Sequence, residues 1–335
     1  MGNFAGTPAE RTSKYFPQFA EELPSMEGKV VAITGTTSGT GFIAARTVAQ
    51  KGATVILLNR KSSRAEAALE KLKAAVPGAT FDWIECDLQN FESVRNASKA
   101  ILSKYSAGVD VLCNNAGVMA LEDKATADGY DVQMQTNHLS HFLLTKEIYP
   151  LLQKAAEEKG EARVVNHSSG ARSHPQDPLR AESFGKNGGN LGGNGSNMIM
   201  GVGGRWKRYQ QTKLANTCFS LAFTNRANAS GSKVIMLSAH PGLSATNLQV
   251  TTNADGGMNV SLFTRLFMSF SQSPEDGTMG LLHCMCAAGV KGGELYGPTG
   301  ITGKAVPNKV GKHTNDKGAD LLWNLSEEAC GKFEV

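Results

Sequence analysis

Apolar positions along this chain follow two spacings in turn, and the switch between them predicts the elements. Short runs rich in apolar and β-branched residues stand at 29–34, 54–58, 80–85, 109–113, 162–167 and 234–238. The first, Lys29-Val-Val-Ala-Ile-Thr34, has almost no polar face, which predicts a strand buried on both sides in a parallel sheet. Between the runs, helical spacing predicts helices over 42–51, 62–76, 91–104, about 127–155, about 207–229 and about 274–288. Strand and helix alternating in this way predict an α/β fold: a single Rossmann-type, doubly wound parallel sheet with helices on both faces. A polar lead over 1–25 reads as an N-terminal extension, and 26–335 as one dinucleotide-binding domain without repeats.

Two segments break the rhythm. Residues 185–204 hold nine glycines and several asparagines, a composition that predicts a long loop within an insertion over about 170–206. Residues 258–270 are apolar at 258, 262, 263, 266, 267 and 270, which gives one greasy helical face. A core helix, a C-terminal substrate lid over about 243–272 and a peripheral membrane contact are three readings of that face.

Composition narrows the class. The chain has 335 residues, 41% of them hydrophobic and 19% charged, enough for a proper core and incompatible with disorder. Its net charge of +4 is too small and too evenly spread for nucleic-acid binding. Six cysteines stand mostly in apolar stretches and never as CxxC, which predicts buried reduced thiols rather than disulfides or a metal site. No apolar run approaches a membrane span and the N-terminus has no leader pattern; Gly2 lacks the Ser or Thr at position 6 that myristoylation prefers. A soluble, unprocessed cytoplasmic protein is expected, with an organelle or membrane surface and a homo-oligomer left open.

The chemistry begins where the first strand runs into Thr34-Gly-Thr-Thr-Ser-Gly-Thr-Gly41 and then a helix. Gly35, Gly39 and Gly41 allow a tight turn and a close backbone approach to a pyrophosphate, while Thr37, Ser38 and Thr40 line the loop at a helix N-terminus. At the end of the second strand, where a carboxylate would hold a ribose 2′-hydroxyl, stand Asn59, Arg60 and Lys61; cations there favour NADP(H). Asp87 and Leu88 close the third strand, and Cys113-Asn-Asn-Ala-Gly117 ends the fourth, both on the ligand-binding edge. Tyr209 and Lys213 lie four residues apart on a predicted helix, hence on one face. An ammonium there is expected to lower the phenol's pKa and suit it to acid/base work on a carbinol or carbonyl oxygen.

These motifs, with a Ser at a strand end, resemble in their order the short-chain dehydrogenase/reductase family over residues 28–305. Asn137-His-Leu-Ser-His-Phe142, Val164-Val-Asn-His-Ser-Ser169, His240-Pro-Gly242 and Ser273-Pro-Glu-Asp-Gly277 are similar to stretches of its retinol dehydrogenase-like branch. The resemblance implies Tyr209 as proton donor in reduction and Lys213 on the nicotinamide ribose. It implies Ser169 on the substrate oxygen and Asn137 holding a water that links Lys213 to solvent. Asp87 would lie near adenine, Asn115, Ala116 and Gly117 along the ribose, and Pro241, Gly242 and Thr246 near the carboxamide. The substrate would be an apolar small molecule, retinoid-, steroid- or long-chain aldehyde-like. His167 and His240 read as packed residues.

One departure opens alternatives. Between Ser169 and Tyr209 lie 39 residues, far more than most members carry. Light-dependent protochlorophyllide reductases also have an insertion there, with the same Tyr/Lys pair and NADPH. Against them, this chain keeps Asn-Asn-Ala-Gly, places Leu243 after Pro241-Gly242 where they have a Cys, and has no Cys between 113 and 218. A non-catalytic NADP(H)-binding scaffold subunit is the other alternative, and intact Asn137, Ser169, Tyr209 and Lys213 weigh against it.

Overall fold

The computed structural model describes residues 11–174, 177–186, 189–197, 201–244 and 271–335. Its centre is an eight-stranded sheet: β1 (Val30–Thr34), β2 (Thr54–Asn59), β3 (Phe81–Glu85), β4 (Val111–Asn114), β5 (Ala162–His167), β6 (Val234–Ala239), β7 (Leu295–Gly297) and β8 (Val306–Asn308). The spatial order is β3-β2-β1-β4-β5-β6-β7-β8, parallel throughout except for the antiparallel edge strand β8. The order reverses direction after β1, the topological switch point at which a crevice opens beyond the strands' carboxyl ends.

The apolar strands feed two cores because successive side chains point to opposite faces. Val31, Ile33, Val55, Leu57, Val111, Cys113 and Leu237 enter one core, with α2 (Gly39–Gln50) and α8 (Pro274–Cys286). Ala32, Ile56, Leu58, Leu112, Val164 and Met236 enter the other, under α4 (Phe91–Lys104), α6 (Ser140–Lys159), α7 (Gly204–Ser230) and α9 (Asp316–Cys330). Helix α3 (Ser63–Ala75) joins β2 to β3, starting at Ser62, whose hydroxyl caps the Ala65 amide.

Several elements go beyond the sequence pattern. The N-terminal lead contains α1 (Phe16–Glu22), and the amides of Lys14, Tyr15 and Phe16 each donate at 2.9 Å to Asp276 in the first turn of α8. The helix expected over 127–155 begins as α5 (Val132–Met134), passes through a π-helical turn at Gln135–Leu139 and continues as α6. All six cysteines are buried and unpaired. Among the described residues no helix is long and apolar enough to cross a membrane. The greasy face at 258–270 and most of the expected lid fall outside the described residues.

Candidate active site

The carboxyl ends of the central strands open on a cleft of about 1060 Å³. Gly35, Thr37, Ser38, Gly39 and Thr40 line it from the β1–α2 turn. Glycine is required twice here: a Cβ on Gly35 would lie 2.8 Å from that of Ala116, and one on Gly41 would lie 2.2 Å from the Gly35 carbonyl oxygen. Gly41 itself stands behind the wall, where its bareness lets α2 press against the turn.

Thr34 and Asn115 tie the turn to β4. The Asn115 and Ala116 amides donate to Thr34 Oγ1 at 3.0 and 2.9 Å, and Asn115 Nδ2 donates to Thr34 O at 2.8 Å. Asn115 Oδ1 accepts from Thr40 Oγ1 at 2.9 Å and from His167 Nδ1 at 3.0 Å. An amide oxygen only accepts, so His167 carries its proton on Nδ1 and presents a bare Nε2. Burial, with the Lys213 charge, pushes His167 down to about 3, and burial pushes His240 down to about 4, so both rings are neutral. The two histidines expected as packed residues therefore also line the cleft.

At the adenosine end, Asp87 and Leu88 line the wall, with Asp87 Oδ1 accepting from the Gln89 amide. Asn59 is engaged elsewhere: its Oδ1 accepts from the Thr36 amide at 2.8 Å and its Nδ2 donates to Thr36 Oγ1 at 2.7 Å. It holds the glycine turn instead of reading a ribose. Arg60, Lys61 and Arg64 are exposed on the rim, and no carboxylate among the described residues pairs with any of the three. Arg64 escaped the sequence reading because it lies beyond the strand end in the first turn of α3, where the structure puts it on the cleft rim.

At the other end, α7 carries Tyr209 and Lys213 on its cleft face, and β5 delivers Ser169. The Ser169 hydroxyl hydrogen-bonds the Tyr209 phenol. Lys213 Nζ donates to the His167 carbonyl at 2.8 Å and lies 5.7 Å from the centre of the Tyr209 ring. The electrostatics differ from the sequence expectation of an acidified phenol. Burial pushes Tyr209 up to about 12, the Ser169 bond acting against it, and burial pushes Lys213 down to about 7. Both charged forms are penalised because the pair sits in a desolvated wall and Lys213 faces a carbonyl instead of a carboxylate.

Asn137 lies in the π-helical turn, fully buried behind the cleft. Its side chain clamps Val118 through the amide, 2.8 Å to Oδ1, and the carbonyl, 2.9 Å from Nδ2, while its own carbonyl accepts from His141 Nδ1 at 3.1 Å. Ala116 and Gly117 line the cleft between these groups, and Pro241 and Gly242 close it from β6. Gly242 has φ +61°, and a Cβ there would lie 2.5 Å from the Ile301 oxygen. Thr246 falls outside the described residues.

The insertion is pinned beside this end by buried charge. Arg208 Nε stands 3.3 Å from Asp131 and its Nη1 3.4 Å from Asp123, with Arg208 and Asp131 almost wholly buried. Burial pushes Asp131 up to about 6, against its backbone hydrogen bonds and the Arg208 charge. Asp123 accepts from the Leu191 and Gly193 amides, and Arg208 donates to the carbonyls of the same two residues.

Residues 29–183 match the family model of short chain dehydrogenases. The chain is 33% identical to an oxidoreductase of Schizosaccharomyces pombe, over 68% of this chain and 63% of that one. It is 31% identical to retinol dehydrogenase 12 of Bos taurus, over 91% of this chain and 87% of the relative. A second fungal relative is spanned over only 56% of its length. A crystal structure from Mycobacterium paratuberculosis superposes with a TM-score of 0.72 at 30% identity, covering 94% of this chain and 98% of that one. With the fold and the cleft, these matches place the chain in the short-chain dehydrogenase/reductase family, whose members bind NAD(P). Within it, the chain falls in the retinol dehydrogenase-like branch.

Proposed function

We propose that this protein uses NADP(H) to interconvert a carbonyl and an alcohol on an apolar small molecule, with Tyr209 as the acid/base. The observation that carries the proposal is one cleft with Ser169, Tyr209 and Lys213 gathered at one end and, on the rim of the other, three cations, Arg60, Lys61 and Arg64, that pair with no carboxylate among the described residues. The cleft suits a dinucleotide: the glycine turn leaves backbone bare beside it, and its volume is that of a large ligand site. Met119, Ala171, Trp206, Leu243 and Ile301 line the far end and favour an apolar substrate. The nicotinamide, when bound, supplies or takes up the hydride.

This chain's residues do the rest. The glycine turn and the amides at the start of α2 would hold the pyrophosphate, and Arg60 and Arg64 a 2′-phosphate. Ser169 would donate to the substrate oxygen and fix it beside the phenol. With its pKa held up by burial, Tyr209 keeps its proton at neutral pH, the form that protonates a developing alkoxide. Lys213 would bind the ribose and, when charged, stabilise the phenolate left behind. Asn137 acts from behind, holding Val118 and thereby the floor of the ribose site. We place the protein in the cytoplasm, with 258–270 as a substrate lid or membrane contact and a homo-oligomer left open.

The test is to follow NADPH absorbance with a panel of apolar aldehydes and ketones, in darkness and in light. Turnover in darkness, reduced by about 10²–10⁴ in Tyr209→Phe while NADPH still binds, is the expected result. A Tyr209→Phe protein as active as the parent refutes the assignment. Turnover only under illumination with pigment favours the photoenzyme, and tight binding with no turnover favours the scaffold.

A further inference from the structure

We propose that Gln210 determines substrate specificity: its side-chain carbonyl accepts a hydrogen bond from a hydroxyl on the substrate, and the glycine-rich insertion holds it in that orientation. The proposal rests on the carbonyl reductase reading above and names its substrate class, an apolar carbonyl compound that also bears a hydroxyl.

Positions 206, 209, 210 and 213 share one face of α7, and all four line the cleft. Lys213 and Tyr209 belong to the reaction, which leaves Trp206 and Gln210 for the substrate's body. Trp206 meets Tyr209 edge-on, with ring centres 5.9 Å apart, and together with Met119 and Ala171 makes an apolar wall. Gln210 interrupts that wall with an amide.

The amide's orientation is settled by its partner. Gln210 Nε2 donates to the Gly201 carbonyl at 2.8 Å. A carbonyl only accepts, so the NH₂ faces the insertion and Oε1 faces the other way. Oε1 has no donor among the described residues and is not sealed within the protein, although the residue as a whole is only 6% exposed. It is thus a fixed acceptor on the cleft face of α7, beside Trp206 and Tyr209.

The insertion supplies the rigidity. Beside Gly201, Val202 pairs with Asn197 through both backbone bonds, at 2.9 and 3.2 Å. A Cβ on Gly203 would lie 2.2 Å from the Gly195 oxygen, and Asp123 and Arg208 hold Leu191 and Gly193 from below. An acceptor held this firmly rewards a donor at the right place and penalises an apolar group, by about three- to tenfold for a neutral hydrogen bond.

The experiment compares kcat/KM for reduction of benzaldehyde, its 2-, 3- and 4-hydroxy derivatives and the matching methoxy compounds. A methoxy group keeps the oxygen but cannot donate and is larger by one methyl, so the variant's ratio separates the hydrogen bond from size. We expect at least one hydroxy isomer to exceed its methoxy partner about three- to tenfold, and the ratio to fall to about one in Gln210→Met. A purely structural role would lower both compounds together and leave the ratio unchanged. NADPH binding and thermal melting of the variant check that it folds, and the parent enzyme's own ratio needs no variant. No preference for any hydroxy isomer, or a preference that survives Gln210→Met, overturns the inference while the reductase reading stands. No reduction of any member by a protein that turns over the apolar panel above overturns the inference alone, and no reduction of either set overturns both.

Discussion

Replacing Gly41 with alanine should both destabilise the chain and loosen its dinucleotide turn. The new Cβ would lie 2.2 Å from the Gly35 oxygen and 2.3 Å from Asn115 Nδ2. Either α2 retreats from the turn, or Asn115 swings away and gives up its bonds to Thr34 O at 2.8 Å and Gly35 O at 3.2 Å. Overpacking of this kind costs about 1–3 kcal/mol, and buried carbonyls left without a donor add about 1–3 kcal/mol more. Alanine's better helix propensity returns up to about 1 kcal/mol. The net loss of about 1–6 kcal/mol corresponds to a fall in Tm of roughly 2–9 °C in a domain of this size. Gly170→Ala is the matched control, because a Cβ there meets nothing within 4 Å and its φ is ordinary. Differential scanning calorimetry reads both variants, and NADPH titration reads the turn. A Gly41→Ala protein that melts with the control and binds NADPH normally would refute the account of the glycine turn.

Other expectations concern charge. Arg60→Ala with Arg64→Ala should weaken NADPH by about tenfold or more and NADH by less than about twofold, with the difference shrinking as salt rises; equal losses for both cofactors would remove the 2′-phosphate role. Arg208→Met strands Asp131 and Asp123 without their cation and should cost about 3–5 kcal/mol by denaturant unfolding. Since burial already raises Asp131 in the folded state, its charge is opposed there, and the gap between variant and parent should widen as pH rises from 5 to 8. Lys213, pushed down to about 7, loses its proton above that pH and with it part of the attraction for an anionic cofactor. The dissociation constant of NADPH should therefore climb above pH 7 in the parent and stay flat in Lys213→Met, as isothermal titration would show.

Much of this was legible in the sequence because it is local. The glycine turn, the strand–helix alternation and the Tyr209/Lys213 spacing each depend on neighbours within a few residues. So does α9, whose apolar positions at 319, 322, 323 and 330 have helical spacing, though no helix was expected there. β7 and β8 are three residues each, too short for any periodicity to register. The π-helical turn that buries Asn137 left no mark in the pattern, because its spacing departs from that of the flanking helices by a single residue.

By itself, then, the amino-acid order determined the class of fold, the place where a dinucleotide would sit and the residue types brought to it. Only the tertiary structure decided how those residues behave. Asn59 turned inward to Thr36, 23 positions away, and Gln210 was aimed by Gly201. The phenol and the ammonium, read from spacing as a pair in which one acidifies the other, are governed by burial. The physical reason is that spacing fixes which side chains are neighbours along a helix, whereas dielectric and hydrogen-bond partners come from segments far away in the chain.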